Sequence, residues 1–223
     1  MKKIFVVIFT IMSQFTFAQT IKTPGDFTKV TAFDKISVQL IPSNENKVEL
    51  KGKFENEVEL VNNNGELKIR LSMGKFLDGE DLIAKVYFKK IDAVEANEGS
   101  YLSCQSEIES VGFDIIAKEG AIIKITVNSK RTTIKASQGA EVILSGKTQN
   151  LDIITNTGAK VRAETCKTEQ TIVSVNAGGF ADVFATDLVD AKTRAGGTIT
   201  IYGNPKQVNE KTILGGKIII SKK

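Results

Sequence analysis

Histidine is absent from this 223-residue chain, and with it goes much of the usual catalytic repertoire. Neither a Ser-His-Asp nor a Cys-His arrangement can be assembled, and the His ligands of most catalytic zinc sites are missing. Left-handed acyltransferase β-helices, which rely on a His, are excluded for the same reason. What remains are two cysteines, Cys104 and Cys166, and scattered carboxylates among 30 basic residues. Carboxylates on neighbouring strands could hold Ca²⁺ while a Lys or Arg acts as base, which is the chemistry of a β-helix polysaccharide lyase. Here the acids are scattered, with Asp182 beside Arg162 and Thr200, and a solvated charged face is the simpler reading of that trio. No phosphate-cradling glycine loop leads into a helix. The expectation is a non-enzymatic chain with no cofactor and no metal.

The elements that position these residues are set by a repeat. Seven times the chain repeats the order apolar, any, small, any, any, glycine, with Val175 and Glu210 as departures, ending at Gly99, Gly120, Gly139, Gly158, Gly178, Gly196 and Gly215, a period of 18 to 21 residues. Each glycine suits a corner of positive φ, and a small residue follows it. Three residues after the glycines stand Leu102, Ile123, Val142, Val161, Ala181, Ile199 and Ile218. Five residues after them stand Cys104, Ile125, Leu144, Ala163, Val183, Ile201 and Ile220. Apolar residues two apart share one face of a strand, so these are two inward columns of a stack. The fold class expected is all-β: a right-handed β-helix-like solenoid of about seven coils, each made of two or three short strands. A β-sandwich of regular hairpins would also space glycines at this interval. Leucine-rich repeats lack their leucines and asparagine here, and six-residue left-handed helices lack their period.

Residues 1–18 read as an export signal: Lys2 and Lys3, an apolar stretch over 4–17, and a small residue at the cleavage point before Gln19. No cysteine stands there for lipidation, and no later stretch is apolar enough to span a membrane. Loss of Lys2 and Lys3 takes the net charge from +4 to +2, too balanced for a nucleic-acid partner. Lys130 and Arg131, beside Asn128, read as turn residues.

Residues 19–90 are less regular and read as strands that begin and cap the solenoid, continuous with the repeats of 91–223. Phe33, Ile36, Val38 and Leu40 lie on an extended segment ending at Pro42. Asn64-Gly65 makes a hairpin between 58–61 and 67–71. A polar stretch over 76–81 precedes a strand over 82–88.

The run F-D-K-I-S-V-Q-L at 33–40, N-G-E-L-K-I at 64–69 and the repeated G-A or G-G steps resemble the GIN domain, the head of auto-transporter adhesins, over residues 33–221. That resemblance implies a secreted Bacteroidetes protein with a β-helix-like fold and a binding or adhesion role, and it carries no catalytic residues with it. The glycine steps here are E-G, Q-G, T-G and A-G where the family favours S-G. The expected place is the periplasm or cell surface. The expected partner is a protein or glycan of the cell envelope, and a homo-oligomer is allowed. A self-assembling periplasmic scaffold of end-to-end solenoids is the alternative, with a carbohydrate-active lyase behind it.

In the outward columns Tyr101, Ile122, Ile143 and Phe180 are apolar where water is expected, and they form the candidate binding face. The cysteines lie three repeats apart, roughly 14 Å at an inter-strand spacing of about 4.8 Å, beyond the about 7 Å that a disulfide tolerates. Two free thiols are expected, Cys104 buried and Cys166 nearer the surface.

Overall fold

The computed structural model describes residues 20–221, so the signal segment lies outside the described residues. Helix within them is limited to the 3-10 turns Glu55–Glu57 and Gly79–Asp81. The rest is strand and corner. β8 (Ala93–Ala96) leads into β9 (Tyr101–Ala117), followed by β10 (Ile122–Ala136), β11 (Glu141–Thr155) and β12 (Lys160–Asn176). Each of these long strands runs from one glycine corner to the next and bends midway. They are fewer and longer than the two or three short strands per coil that the repeat suggests. Lys130 and Arg131 accordingly sit within β10 at its bend and not in a separate turn. After β12 the coils divide into β13 (Phe180–Phe184), β14 (Leu188–Arg194), β15 (Gly197–Tyr202), β16 (Gln207–Ile213) and β17 (Gly216–Ile220). From β8 onward all pairing is parallel, residue against residue one coil later: Ile123 on Val142, Val142 on Val161, Val161 on Ala181, Ala181 on Ile199. The molecule is a β-solenoid of about seven turns.

Both inward columns are buried from Leu102 and Cys104 to Ile199 and Ile201. In the last coil Ile218 is partly covered and Ile220 is 48% exposed, because no further coil lies over them among the described residues.

At each corner the glycine has φ between 69° and 88°, and the residue before it is also left-handed: Glu98, Glu119, Gln138, Thr157, Ala177, Ala195 and Leu214, at 48° to 57°. Two consecutive positive φ values define a type I′ turn. The corners are stacked by backbone bonds, such as Gly120 N–H to the Gln138 carbonyl at 3.0 Å. An eighth corner has no glycine: Asp34 and Lys35 have φ of 59° and 61°, and Lys35 N–H donates to the Glu98 carbonyl at 3.0 Å. It breaks the extended segment expected around Phe33 into β2 (Lys29–Ala32) and β3 (Ser37–Pro42).

That rung is sandwiched out of chain order. β6 (Glu66–Leu71) and β7 (Leu82–Phe88) pair with β2 and β3 on one side, and β8 and β9 pair with them on the other. The outer edge of β6 is covered by β5 (Val58–Asn63), and that of β7 by β4 (Lys47–Gly52), itself paired with β1 (Thr20–Lys22). All three added strands run antiparallel. They close the N-terminal end of the stack, as exposed strand edges require.

On the β2 side of these rungs a charge network crosses coils. Lys29 bridges Glu66 (2.9 Å) and Glu95 (2.7 Å), and Lys118 reaches Glu95 at 2.9 Å. Burial pushes the Glu95 carboxyl up, but hydrogen bonds from Lys29 and Lys118 more than offset this and leave it below its usual pKa.

Candidate functional site

Opposite the glycine corners, the midway bends of successive coils align into an open groove of about 850 Å³, extending from Lys90 and Glu109 to Thr186. Each bend arises where two consecutive residues face solvent and reverse the in-out alternation: Val111-Gly112, Lys130-Arg131, Gln149-Asn150 and Glu169-Gln170. Just before each pair stands a hydroxyl, Ser110, Ser129, Thr148 and Thr168, stacked coil on coil. Ser129 Oγ donates to Thr148 Oγ1 at 2.8 Å and lies 2.8 Å from Thr132 Oγ1, while Thr168 Oγ1 is 2.7 Å from Thr171 Oγ1. At the first bend Ser110 bonds Asp92 Oδ1 at 3.1 Å. The hydroxyls are thus engaged within the protein and make a firm floor.

What the groove presents to solvent is different. Lys130, Lys147 and Lys167 are exposed along it together with Glu109 and Glu169, and none of the three lysines forms an ion pair among the described residues. Lys147 and Lys167 are register partners on adjacent coils. Elsewhere, charges on successive coils neutralise each other: Arg131 Nε to Asp152 Oδ2 at 2.8 Å, Arg162 Nε to Glu141 Oε1 at 2.6 Å, and Lys206 to Asp187 at 2.6 Å.

The face expected to bind lies elsewhere. Tyr101 and Ile122 are register partners, and Ile143 lies diagonally beyond Ile122. Phe180, 49% exposed, is separated from them by Lys160 and by the Glu141–Arg162 pair, and edges a small hollow with Lys160, Arg162 and Asp182. The structure therefore brings three of the four together and sets Phe180 apart. Glu141 holds the Arg162 guanidinium's pKa up by a hydrogen bond and by its charge. Arg162, Asp182 and Thr200 are stacked in register as the repeat implied. No group of three or more metal-ligating side chains occurs among the described residues.

Both cysteines are free and both are buried. For Cys166 this corrects the expectation of a surface position. The register of β12 shifts against β11 around Ala163 and Glu164, turning Thr165 outward and Cys166 into the core at 0% exposure. Its neighbour one coil back is Gly146, which approaches so closely that a Cβ there would overlap the Val127 carbonyl oxygen. Burial pushes the Cys166 thiol up to about 12.

Parallel coils, one continuous core and a polar groove along the stack define a β-solenoid. The chain belongs to the family described as “Putative auto-transporter adhesin, head GIN domain”, which matches residues 26–205. Among solved structures it resembles one from Bacteroides fragilis described as a putative adhesin, with 14% identity, a TM-score of 0.85, and coverage of 92% of this chain and 96% of that one. A putative adhesin from Parabacteroides merdae has 16% identity, a TM-score of 0.76 and the same coverage. A structure from Parabacteroides distasonis described as a putative lipid binding protein has 12% identity, a TM-score of 0.69 and again 92% and 96% coverage. At these identities the likeness is one of fold. No curated protein matches the sequence.

Proposed function

We propose that the protein is an exported, non-enzymatic binding module that holds an envelope polymer, glycan or protein, in the groove along its bends. The observation that carries this reading is the pairing of a fixed, internally hydrogen-bonded hydroxyl floor with cations left without partners. A surface that serves solubility alone does not need like charges stacked on a rigid support. Export is supported by the signal-like residues 1–18 and by the Bacteroidetes sources of the similar structures. Among the described residues no helix is long and apolar enough to cross a membrane. The near-balanced charge speaks against nucleic acid. Scaffold assembly by end-to-end stacking is the less favoured reading, because antiparallel strands cover the N-terminal rung.

The test is a glycan array and an envelope-polysaccharide binding assay with the purified exported chain. Gln149→Trp, which fills the groove from an exposed position, should abolish binding, while Phe180→Ala should not. Binding lost only with Phe180→Ala would move the site to the hollow that Phe180 edges with Lys160, Arg162 and Asp182. Size-exclusion chromatography with light scattering should give discrete monomers or dimers; growth with concentration would favour the scaffold.

A further inference from the structure

We infer that the groove's ligand is an anionic linear polysaccharide, carboxylated or sulfated, lying along the stacking axis with its charges on Lys130, Lys147 and Lys167. The inference rests on the groove being the binding site and adds the chemical class of what it binds. Three observations carry it.

The first is electrostatic. Lys147 and Lys167 are directly opposed in a parallel pair, and like charges in that position destabilise the pair. Lys130 enters the groove from the coil before. None of the three has a carboxylate partner among the described residues, although this solenoid pairs charges across coils at Arg131–Asp152, Arg162–Glu141 and Lys206–Asp187. A bound anion relieves the repulsion that the free protein retains.

The second is geometric. The groove crosses five coils at a spacing of about 4.8 Å each, roughly 19 Å in length from first to last, and it is open along that length. Such a trough suits a linear polymer that presents its anionic groups repeatedly, and not a compact molecule enclosed on all sides.

The third is the character of the lining. It contains no aromatic side chain, so neither a stacked neutral sugar face nor an unstacked nucleobase finds a ring, and single-strand nucleic-acid sites depend on such platforms. Asn128 and Gln149 stand among the lysines and can donate to and accept from sugar hydroxyls. The four lysines of the lining, Lys90 included, outnumber Glu109 and Glu169, so charge supplies affinity and the amides read the hydroxyls.

Isothermal titration calorimetry on the purified exported chain tests this with polygalacturonate, dextran sulfate, a neutral β-glucan, poly-glutamate and single-stranded DNA. Polygalacturonate or dextran sulfate should bind, the two arms separating carboxylate from sulfate, and binding should weaken as salt rises. Replacing all three lysines (K130Q/K147Q/K167Q) should weaken it about tenfold, with a thermal midpoint no lower than that of the wild type. Anionic glycan binding that the triple variant leaves unchanged would overturn the inference. So would equal binding of poly-glutamate or DNA through the same lysines. If only a neutral glycan or a protein binds and Gln149→Trp abolishes it, the anionic class is wrong and the groove stands. If nothing that binds responds to Gln149→Trp, the groove reading itself falls.

Discussion

Gly197 is packed against Val175 of the preceding coil so closely that a Cβ on the glycine would overlap a valine methyl carbon. The same contact recurs between Gly179 and Thr155 and between Gly216 and Thr193. At the corresponding positions earlier in the stack the pair is Ala136 with Ala159. Bulk lost on one coil is therefore restored on the next, and Gly197 needs no positive φ to explain its identity. Gly197→Ala is expected to lower the denaturation midpoint through overpacking of about 1–3 kcal/mol. Adding Val175→Ala should recover part of that loss, since it recreates the Ala–Ala pair. A second substitution that only adds to the damage would refute the steric pairing.

Leu144 and Glu141 test the register itself. Leu144 is fully buried in an inward column, whereas Glu141 faces outward in its ion pair with Arg162. Leu144→Ala should cost about 2–5 kcal/mol of stability, and Glu141→Ala should change the midpoint little. Urea denaturation of both variants measures the contrast, and equal small effects would mean the register is misassigned.

At the corners the strain is shared. From the sequence Gly139 stands out as the special residue and Gln138 as an ordinary neighbour. Both are left-handed, at 74° and 55°. Gly139→Val and Gln138→Val should both destabilise, because a β-branched residue resists positive φ. Gln138→Asn should raise the midpoint, by up to about 1 kcal/mol, since Asn tolerates that region better. Thermal melts that leave Gln138→Val unshifted would argue against the turn type.

The thiols should be silent in the native protein. Cys166 is fully covered with its pKa near 12, and burial raises Cys104 as well. Since the thiolate is the reactive form, alkylation at pH 8 should label neither residue before unfolding and two thiols after it. Mass spectrometry of the unreduced protein reads the count, and a Cys104–Cys166 bridge would contradict the stacking order.

Acid should loosen the N-terminal rungs. The Glu95 carboxyl, raised by burial but lowered more by its lysine partners, titrates below the ordinary glutamate range in the folded chain. A carboxylate with a depressed folded pKa contributes stability above its unfolded value and loses that contribution as pH falls through the folded one. The melting temperature should therefore drop as pH is taken below about 4.5, and less steeply in Glu95→Gln. Parallel pH profiles for the two proteins would show that the network contributes nothing.

The solenoid was readable because its signals are local and repeated: a glycine corner and two apolar positions at fixed offsets from Gly99 to Gly215. The hairpin at Asn64-Gly65 and the strand ending at Phe88 were legible for the same reason. The corner at Asp34-Lys35 was not, since it has no glycine and Asp34 alone, though of a type that tolerates positive φ, does not mark a turn. The groove was also missed, although Ser110, Ser129, Thr148, Thr168 and Thr186 recur at the same period. Register shifts between β9 and β10 and between β11 and β12 move these hydroxyls to varying distances from the glycines, so a count from the corners does not align them. The same irregularity turned Cys166 inward.

The rung made by β2 and β3 has a consequence for the order in which the chain can fold. Its partners all come later: Lys29 is bonded in register to Glu66 on one side and Ala93 on the other, and Ser37 to Ile83 and Tyr101. The first strands of the chain therefore have no surface to fold upon until the later ones are present. Because closure must await such distant segments, this rung is completed only once the strand beginning at Tyr101 is in place, and the remaining coils can then be laid one upon another in chain order.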